Sequence, residues 1–265
     1  MRHILTAFLL LSLLACSSDP TKEDKNVSAD ELYAQAKVEM EDHNYEKAIK
    51  RLETLQSRYP YGRYAQQAQI ELAYAYFKKS EPAPALAALD RFVKQYPNSE
   101  RLDYVYYLKG LVNFNENLNS FMSTLFRQDP SERDPAALRE SFASFKELAL
   151  RFPDSKYTPD ARLRMQFLLL TLAKHEIHVA SYYLRRGAYV ASVNRAQGVL
   201  IDFPNTPQSR DALQIMVQAY SALGLDDLKN DAQRVLDLNI AKDGIKPSQD
   251  AFAEHESPWW KFWES

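Results

Sequence analysis

The sequence has a single cysteine, Cys16, and only six glycines in 265 residues. A lone cysteine excludes a disulfide within the chain, so the fold depends on its apolar core. β-Branched residues rarely alternate with polar ones, which argues against a sheet-rich fold. Ala, Leu, Glu, Lys, Arg and Gln dominate instead, and these residues favour helices. The composition therefore predicts an all-α protein.

An excess of charge of one sign is also missing, because 33 basic residues balance 35 acidic ones. A near-neutral chain lacks the electrostatic footprint of a nucleic-acid-binding protein. The sequence contains no glycine-rich phosphate loop, no G-x-S-x-G motif and no reactive thiol. We therefore expect no nucleic-acid partner and no enzymatic activity.

Metal binding has one weak candidate, His175 and His178, which lie three residues apart on one helix face. The pattern is not H-E-x-x-H, and the sequence places no third ligand beside them. A surface or packing role is favoured over metal ligation. We expect no metal and no cofactor other than a covalent lipid on Cys16.

The amino terminus has the layout of an export signal, residues 1–15. A basic start precedes an apolar run from Ile4 to Leu14, which is shorter than the roughly 20 residues needed to span a bilayer. The sequence Leu13-Leu14-Ala15-Cys16 resembles the lipobox of bacterial lipoproteins, which implies cleavage before Cys16 and its acylation. Ser17 in place of aspartate favours the outer membrane, and residues 16–28 would form a polar tether. An ordinary secretory signal is the alternative.

Four segments end a helical pattern with an aromatic residue followed by a proline, and these prolines are Pro60, Pro97, Pro153 and Pro204. Proline cannot continue a helix, so each marks a helix end. Their spacing is 37, 56 and 51 residues. Repeats of about 34 residues that close on a proline resemble the tetratricopeptide repeat. The sequence thus predicts a superhelical solenoid of about five helix pairs with a peptide-binding concave surface.

Small residues recur in a fixed register within these repeats. Twelve positions before each proline stand Ala48, Ala85, Ser141 and Ser192, where the two helices of a repeat cross. A further twelve positions upstream, the first helices of repeats one, two and four have Ala36, Ala73 and Ala180. In repeat three Gly110 takes this place if the repeat carries an insertion between its two helices. The repeats are predicted at about 29–62, 63–99, 100–156 with insertion 115–137, 157–206 and 207–239. A long helix is expected from about 160 to 186, and residues 240–265 form a polar, then Trp-rich, tail.

In tetratricopeptide repeats the concave wall is lined by residues of the first helix of each repeat. In repeats one to three, half of the residues at these lining positions are aromatic. They are predicted to form a substrate-peptide groove from Tyr33, Tyr74, Phe77, Tyr104, Tyr107 and Phe114. Packing between repeats is an equally good reading of the same residues. The insertion is either a functional loop or a segment that folds back and covers its repeat. The tail either docks on a partner or the membrane or folds back into a groove of the solenoid.

Three longer stretches resemble the BamD family, the accessory lipoproteins of the outer-membrane β-barrel assembly machine, including its competence-lipoprotein ComL type. They are residues 58–65, 131–135 and 182–195. The resemblance covers the chain from Cys16 to about Leu238 and excludes the tail.

The resemblance implies a lipoprotein on the periplasmic face of the outer membrane. Its partners would be the POTRA domains of the barrel-forming subunit, other accessory lipoproteins and the C-terminal segments of unfolded outer-membrane proteins. Arg195, in the best-matching stretch, is the expected scaffold contact through an arginine–carboxylate pair. A periplasmic adaptor in envelope or peptidoglycan maintenance and a DNA-uptake factor are the alternatives.

Overall fold

The computed structural model describes residues 27–122 and 135–243, and for 115–122 and 241–243 it describes the backbone only. These residues form ten helices and no strand: α1 Ala29–Glu41, α2 Tyr45–Arg58, α3 Ala65–Lys78, α4 Pro82–Gln95, α5 Leu102–Met122, α6 Ala136–Arg151, α7 Thr158–Arg185, α8 Tyr189–Asp202, α9 Gln208–Leu223 and α10 Asp226–Asp243. The chain divides into two compact units, residues 1–97 and 98–265.

The helix ends follow local sequence chemistry. At the start of α1 the Ser28 hydroxyl accepts a hydrogen bond from the amide of Glu31, three residues on. At the four proline closures the C-cap residues Tyr59, Tyr96, Phe152 and Phe203 share one backbone conformation, with φ between −127° and −132°. Each donates its amide to the carbonyl four residues earlier. The same aromatic–proline signal therefore ends α2, α4, α6 and α8 in the same way.

In the first unit, α1 packs on α2, α2 on α3 and α3 on α4. Small residues stand at the helix crossings, and Ala36, Ala48, Ala73 and Ala85 are fully buried. Leu32, Leu52 and Leu72 form the core around them. The predicted register of small residues thus sets how closely these helices approach.

The second unit continues the pattern, since each helix from α5 to α10 packs on the next and α7 also packs on α9. The crossing serines are buried and each donates a hydrogen bond to a carbonyl of the preceding helix: Ser141 to Gly110 at 2.9 Å and Ser192 to Ala180 at 2.8 Å. The structure confirms the prediction of an all-α protein of stacked helical hairpins of tetratricopeptide type.

Three helices depart in length from a regular repeat. The predicted long helix is confirmed as α7, which has 28 residues. Helix α5 runs on to Met122, inside the insertion predicted at 115–137, and α6 begins at Ala136. Helix α10 extends to Asp243, four residues beyond the end predicted for the fifth repeat at 239. The apolar cluster of the insertion after Met122, Cys16 with its lipobox, and the Trp-rich segment lie outside the described residues.

Among the helices that the structure describes, none is both long enough and apolar enough to cross a bilayer.

Candidate functional site

Tyr33 joins a polar cluster around Glu71 in the first unit. Three donors converge on Glu71 Oε1: the Tyr33 hydroxyl at 3.0 Å, Gln67 Nε2 at 2.7 Å and Lys37 Nζ at 3.5 Å. The Tyr33 ring stacks on Tyr64 with 4.3 Å between ring centroids. Glu71 is only 7% exposed, so this buried carboxylate ties Tyr33 and Lys37 of α1 to Gln67 of α3.

Removing the Glu71 carboxylate is expected to destabilise the protein. In Glu71→Ala the Tyr33 hydroxyl and the Gln67 amide lose a buried acceptor, which costs about 1–3 kcal/mol of unfolding free energy. Chemical denaturation of the purified protein measures this change. Glu46→Ala is the matched control, because Glu46 forms an exposed i,i+4 pair with Lys50 and its loss should change stability by less than about 0.5 kcal/mol. Equal effects of the two substitutions would contradict the cluster's role.

Tyr74 and Phe77 lie on α3 and are both half-buried. The Tyr74 ring meets Tyr45 edge-on at 6.5 Å and Phe77 at 6.4 Å between centroids. Burial, and then the neighbouring Tyr45, raise the pKa of the Tyr74 hydroxyl. The two rings keep part of their surface in solvent, as a peptide-contacting pair must.

Tyr104 and Tyr107 lie on α5 in the second unit and share Tyr157 as a neighbour. Tyr104 lies 5.4 Å from that ring, and Tyr107 stacks on it at 4.8 Å. The Tyr107 hydroxyl donates to Asp160 Oδ2 at 2.9 Å, and its pKa is raised by burial and by that carboxylate. Tyr104 is half-buried, whereas Tyr107 is 6% exposed.

Phe114 differs most from its predicted place. It is 1% exposed, with its ring edge-on to Phe167 at 5.8 Å and under the guanidinium of Arg164 at 4.9 Å. Phe167 and Arg164 both belong to α7, so the Phe114 ring is enclosed between α5 and α7. Phe114 and Tyr107 are buried among their neighbours in this conformation, and their part in peptide binding stays a prediction. Peptide binding by Tyr33, Tyr74, Phe77 and Tyr104 stays a prediction.

Arg195 belongs to a three-residue charge cluster in the second unit. Its Nη1 lies 3.0 Å from Glu176 Oε2, and Arg139 Nη2 lies 2.8 Å from the other oxygen, Oε1. The Glu176 side chain is 11% exposed, while Arg195 and Arg139 keep 48% and 56% of theirs in solvent. One nearly buried carboxylate thus orients two arginines from α6 and α8, and the cluster keeps a net positive charge at the surface.

The two histidines considered as metal ligands flank Glu176 on α7 and are half-buried. Over residues 27–122 and 135–243, no group of three or more His, Cys, Asp or Glu side chains is placed to hold a metal ion. Glu176 itself is engaged by Arg139 and Arg195.

Sequence reasoning missed three residues that organise these sites: Glu71, Glu176 and Arg139. The available signal was a carboxylate on an otherwise apolar helix face, since a buried acid needs a cationic or hydrogen-bonding partner. Only the packing of α6, α7 and α8 identifies both arginines as the partners of Glu176.

Comparison with known proteins gives the family. A family model described as an outer membrane lipoprotein, YfiO, matches residues 25–236. A protein of Neisseria meningitidis serogroup A, named outer membrane protein assembly factor BamD, is 42% identical over 265 residues and covers 98% of both chains. This chain belongs to the BamD family. The resemblance drawn from its sequence motifs is confirmed.

Other members of the BamD family are more distant. The Vibrio cholerae assembly factor is 39% identical over 236 residues, which cover 89% of this chain and 97% of the relative. The Pasteurella multocida assembly factor is 35% identical over 254 residues, or 96% of this chain and 92% of the relative. The likeness therefore extends over both units and is not limited to one repeat.

Proposed function

We propose that this chain is a non-enzymatic lipoprotein of the outer membrane, on its periplasmic face, that serves as scaffold and substrate-binding component of the β-barrel assembly machine. The observation that carries the proposal is near-full-length likeness to proteins named as outer membrane protein assembly factors. Stacked helical hairpins suit the role, because such repeats present extended surfaces to other polypeptides.

The scaffold contact is assigned to the cluster of Arg139, Glu176 and Arg195. Glu176 uses both of its oxygens on the two arginines, and half of each arginine side chain faces solvent. The solvent-facing edges of the guanidinium groups can donate two parallel hydrogen bonds to a planar carboxylate. The partner surface is then acidic, and the POTRA domains of the barrel-forming subunit are the proposed source of that carboxylate.

The substrate contact is assigned to the half-buried aromatic residues Tyr33, Tyr74 and Phe77 of the first unit. Tyr104 of the second unit is proposed as a separate contact. An aromatic residue ending an unfolded outer-membrane protein would stack on such rings. A photoreactive group at position 74 should crosslink to these C-terminal segments in living cells, and one at exposed Leu163 should not. Other accessory lipoproteins are further proposed partners.

The anchor is assigned to a lipid on Cys16, and no other cofactor is proposed. Acyl chains contribute about 0.8 kcal/mol per buried CH₂, so several chains hold a protein on a membrane without a spanning helix. We expect Cys16→Ser to shift the protein from the membrane to the soluble fraction after cell fractionation. Ser17→Ala is the control that should leave partitioning unchanged, and membrane retention of Cys16→Ser would contradict the anchor.

Copurification decides between this proposal and its alternatives. The intact lipoprotein, extracted in mild detergent, should bring down the barrel-forming subunit. Recovery of cell-wall or division proteins without that subunit would instead indicate an envelope adaptor. Salt-sensitive retention of DNA would indicate the uptake role.

A further inference from the structure

An open groove of about 350 Å³ runs between α7 and α9 in the second unit. Ile177, Leu184 and Ile215 supply its apolar surface, and Ser181, Arg185 and Asp211 are among its polar lining residues. Ile177 and Leu184 are only partly covered, although both pack against the buried core of this unit. The groove can therefore take up apolar groups at its base and one or two charged groups at its edge.

The chain itself contains a segment of matching chemistry. Residues 258–263 read Pro-Trp-Trp-Lys-Phe-Trp and hold all three tryptophans of the protein. Four aromatic side chains around one lysine combine a large apolar area with a single positive charge. The assigned scaffold and substrate contacts use none of these residues.

The topology brings this segment within reach of the groove. Helices α9 and α10 pack side by side and are joined only by Gly224 and Leu225, with Gly224 in the left-handed conformation at φ 67°. The end of α10 therefore returns to the start of α9, where Asp211 and Gln214 line the groove. The sixteen residues from position 244 to Trp259 can span up to about 50 Å, which is ample for the return.

We propose that the Trp-rich segment 258–263 docks in the α7–α9 groove of its own chain, with aromatic rings against Ile177, Leu184 and Ile215 and Lys261 paired with Asp211.

The electrostatics of the groove favour this arrangement. Burial raises the pKa of the Asp211 carboxyl, while the neighbouring Arg210 opposes the shift. Asp211 is exposed at the groove edge, where its carboxylate can attract an arriving ammonium group. Asp211 is the acidic group and Arg185 the basic group among the groove-lining residues, so Lys261, the cation within the aromatic segment, pairs with Asp211.

Tryptophan fluorescence of the full-length lipoprotein tests the proposal directly, because the signal comes only from this segment. In detergent solution we expect blue-shifted emission and acrylamide quenching severalfold weaker than for a peptide of residues 244–265. Asp211→Lys and Lys261→Asp should each restore peptide-like quenching. The double variant exchanges the two charges and should recover the protection.

Asp227→Lys is the matched control, since Asp227 also lies in the first turn of a helix and is exposed. It should leave emission unchanged, and circular dichroism should show that every variant is folded. Peptide-like quenching in the unmodified protein would overturn the proposal. Protection from quenching that Leu238→Ser on α10 removes and Asp211→Lys does not would assign the segment to α10 instead. Protection that appears only with vesicles would assign it to the membrane, and protection that rises with protein concentration would assign it to a second copy.

Discussion

Replacing Gly110 with alanine is expected to destabilise the second unit, although alanine is the better helix former. A Cβ atom at this position would lie 2.3 Å from Phe145 Cε1, 2.5 Å from Cδ1 and 2.6 Å from Cζ. Phe145 is fully buried, so its ring has no solvent side into which it can turn. The close approach of α5 and α6 at this crossing therefore depends on the missing side chain.

The size of the effect follows from two opposing terms. Overpacking a core costs about 1–3 kcal/mol, and three ring atoms in collision place this substitution at the upper end. The helical preference of alanine over glycine returns about 1 kcal/mol. We expect the unfolding free energy from denaturant titration to fall by about 2 kcal/mol, given these two terms.

Gly198→Ala is the control for Gly110→Ala. Gly198 lies within α8 and a Cβ there would meet nothing within 4 Å, so stability should rise by up to about 1 kcal/mol. Phe145→Leu in the Gly110→Ala background should recover part of the loss, because the smaller side chain vacates the collision volume. A stabilising Gly110→Ala would refute the tight crossing.

Reversing the charge of Arg195 is expected to abolish copurification of the barrel-forming subunit. The substitution Arg195→Glu removes one guanidinium from the cluster and sets a second carboxylate beside Glu176, whose oxygen lies 3.0 Å from the native Nη1. Loss of one partner of a hydrogen-bonded interfacial charge pair costs about 2–5 kcal/mol, so affinity should fall by at least about 30-fold. Titration of the purified partners measures it.

Two variants separate the contact from its positioning. Arg195→Lys keeps the charge but loses the planar fork, and binding should weaken less than in Arg195→Glu. Glu176→Gln leaves both arginines in place but weakens their orientation, so binding should fall to an intermediate level. Arg162→Glu, at an exposed position of α7, is the control for bulk charge and should bind normally. Full binding by Arg195→Glu would contradict the assigned contact.

Stability measurements keep these results interpretable. In the Arg195 variants Arg139 still lies 2.8 Å from Glu176, so the nearly buried carboxylate keeps one cationic partner. We therefore expect these substitutions to change binding far more than the midpoint of unfolding. A parallel loss of both would indicate a structural role alone.

The sequence by itself determined the helical fold and the register of the hairpins. The reason is local: an aromatic residue and a proline end a helix wherever they occur, and small residues such as Ala48 and Ser192 mark where helices cross. The burial of these residues agrees with that register. Helix α7 was likewise predicted, because its length follows from the spacing of Pro153 and Pro204.

Only the tertiary structure decided which polar and aromatic residues act together. Periodicity places both Phe114 and Tyr74 on the lining face of the first helix of a repeat. The packing of neighbouring helices, however, buries Phe114 and leaves Tyr74 half-exposed. The pairing of Glu176 with Arg139 and Arg195, 37 and 19 residues away along the chain, depends on three helices packing in order. Such long-range partners have no local pattern, because the distance along the sequence does not fix the distance in space.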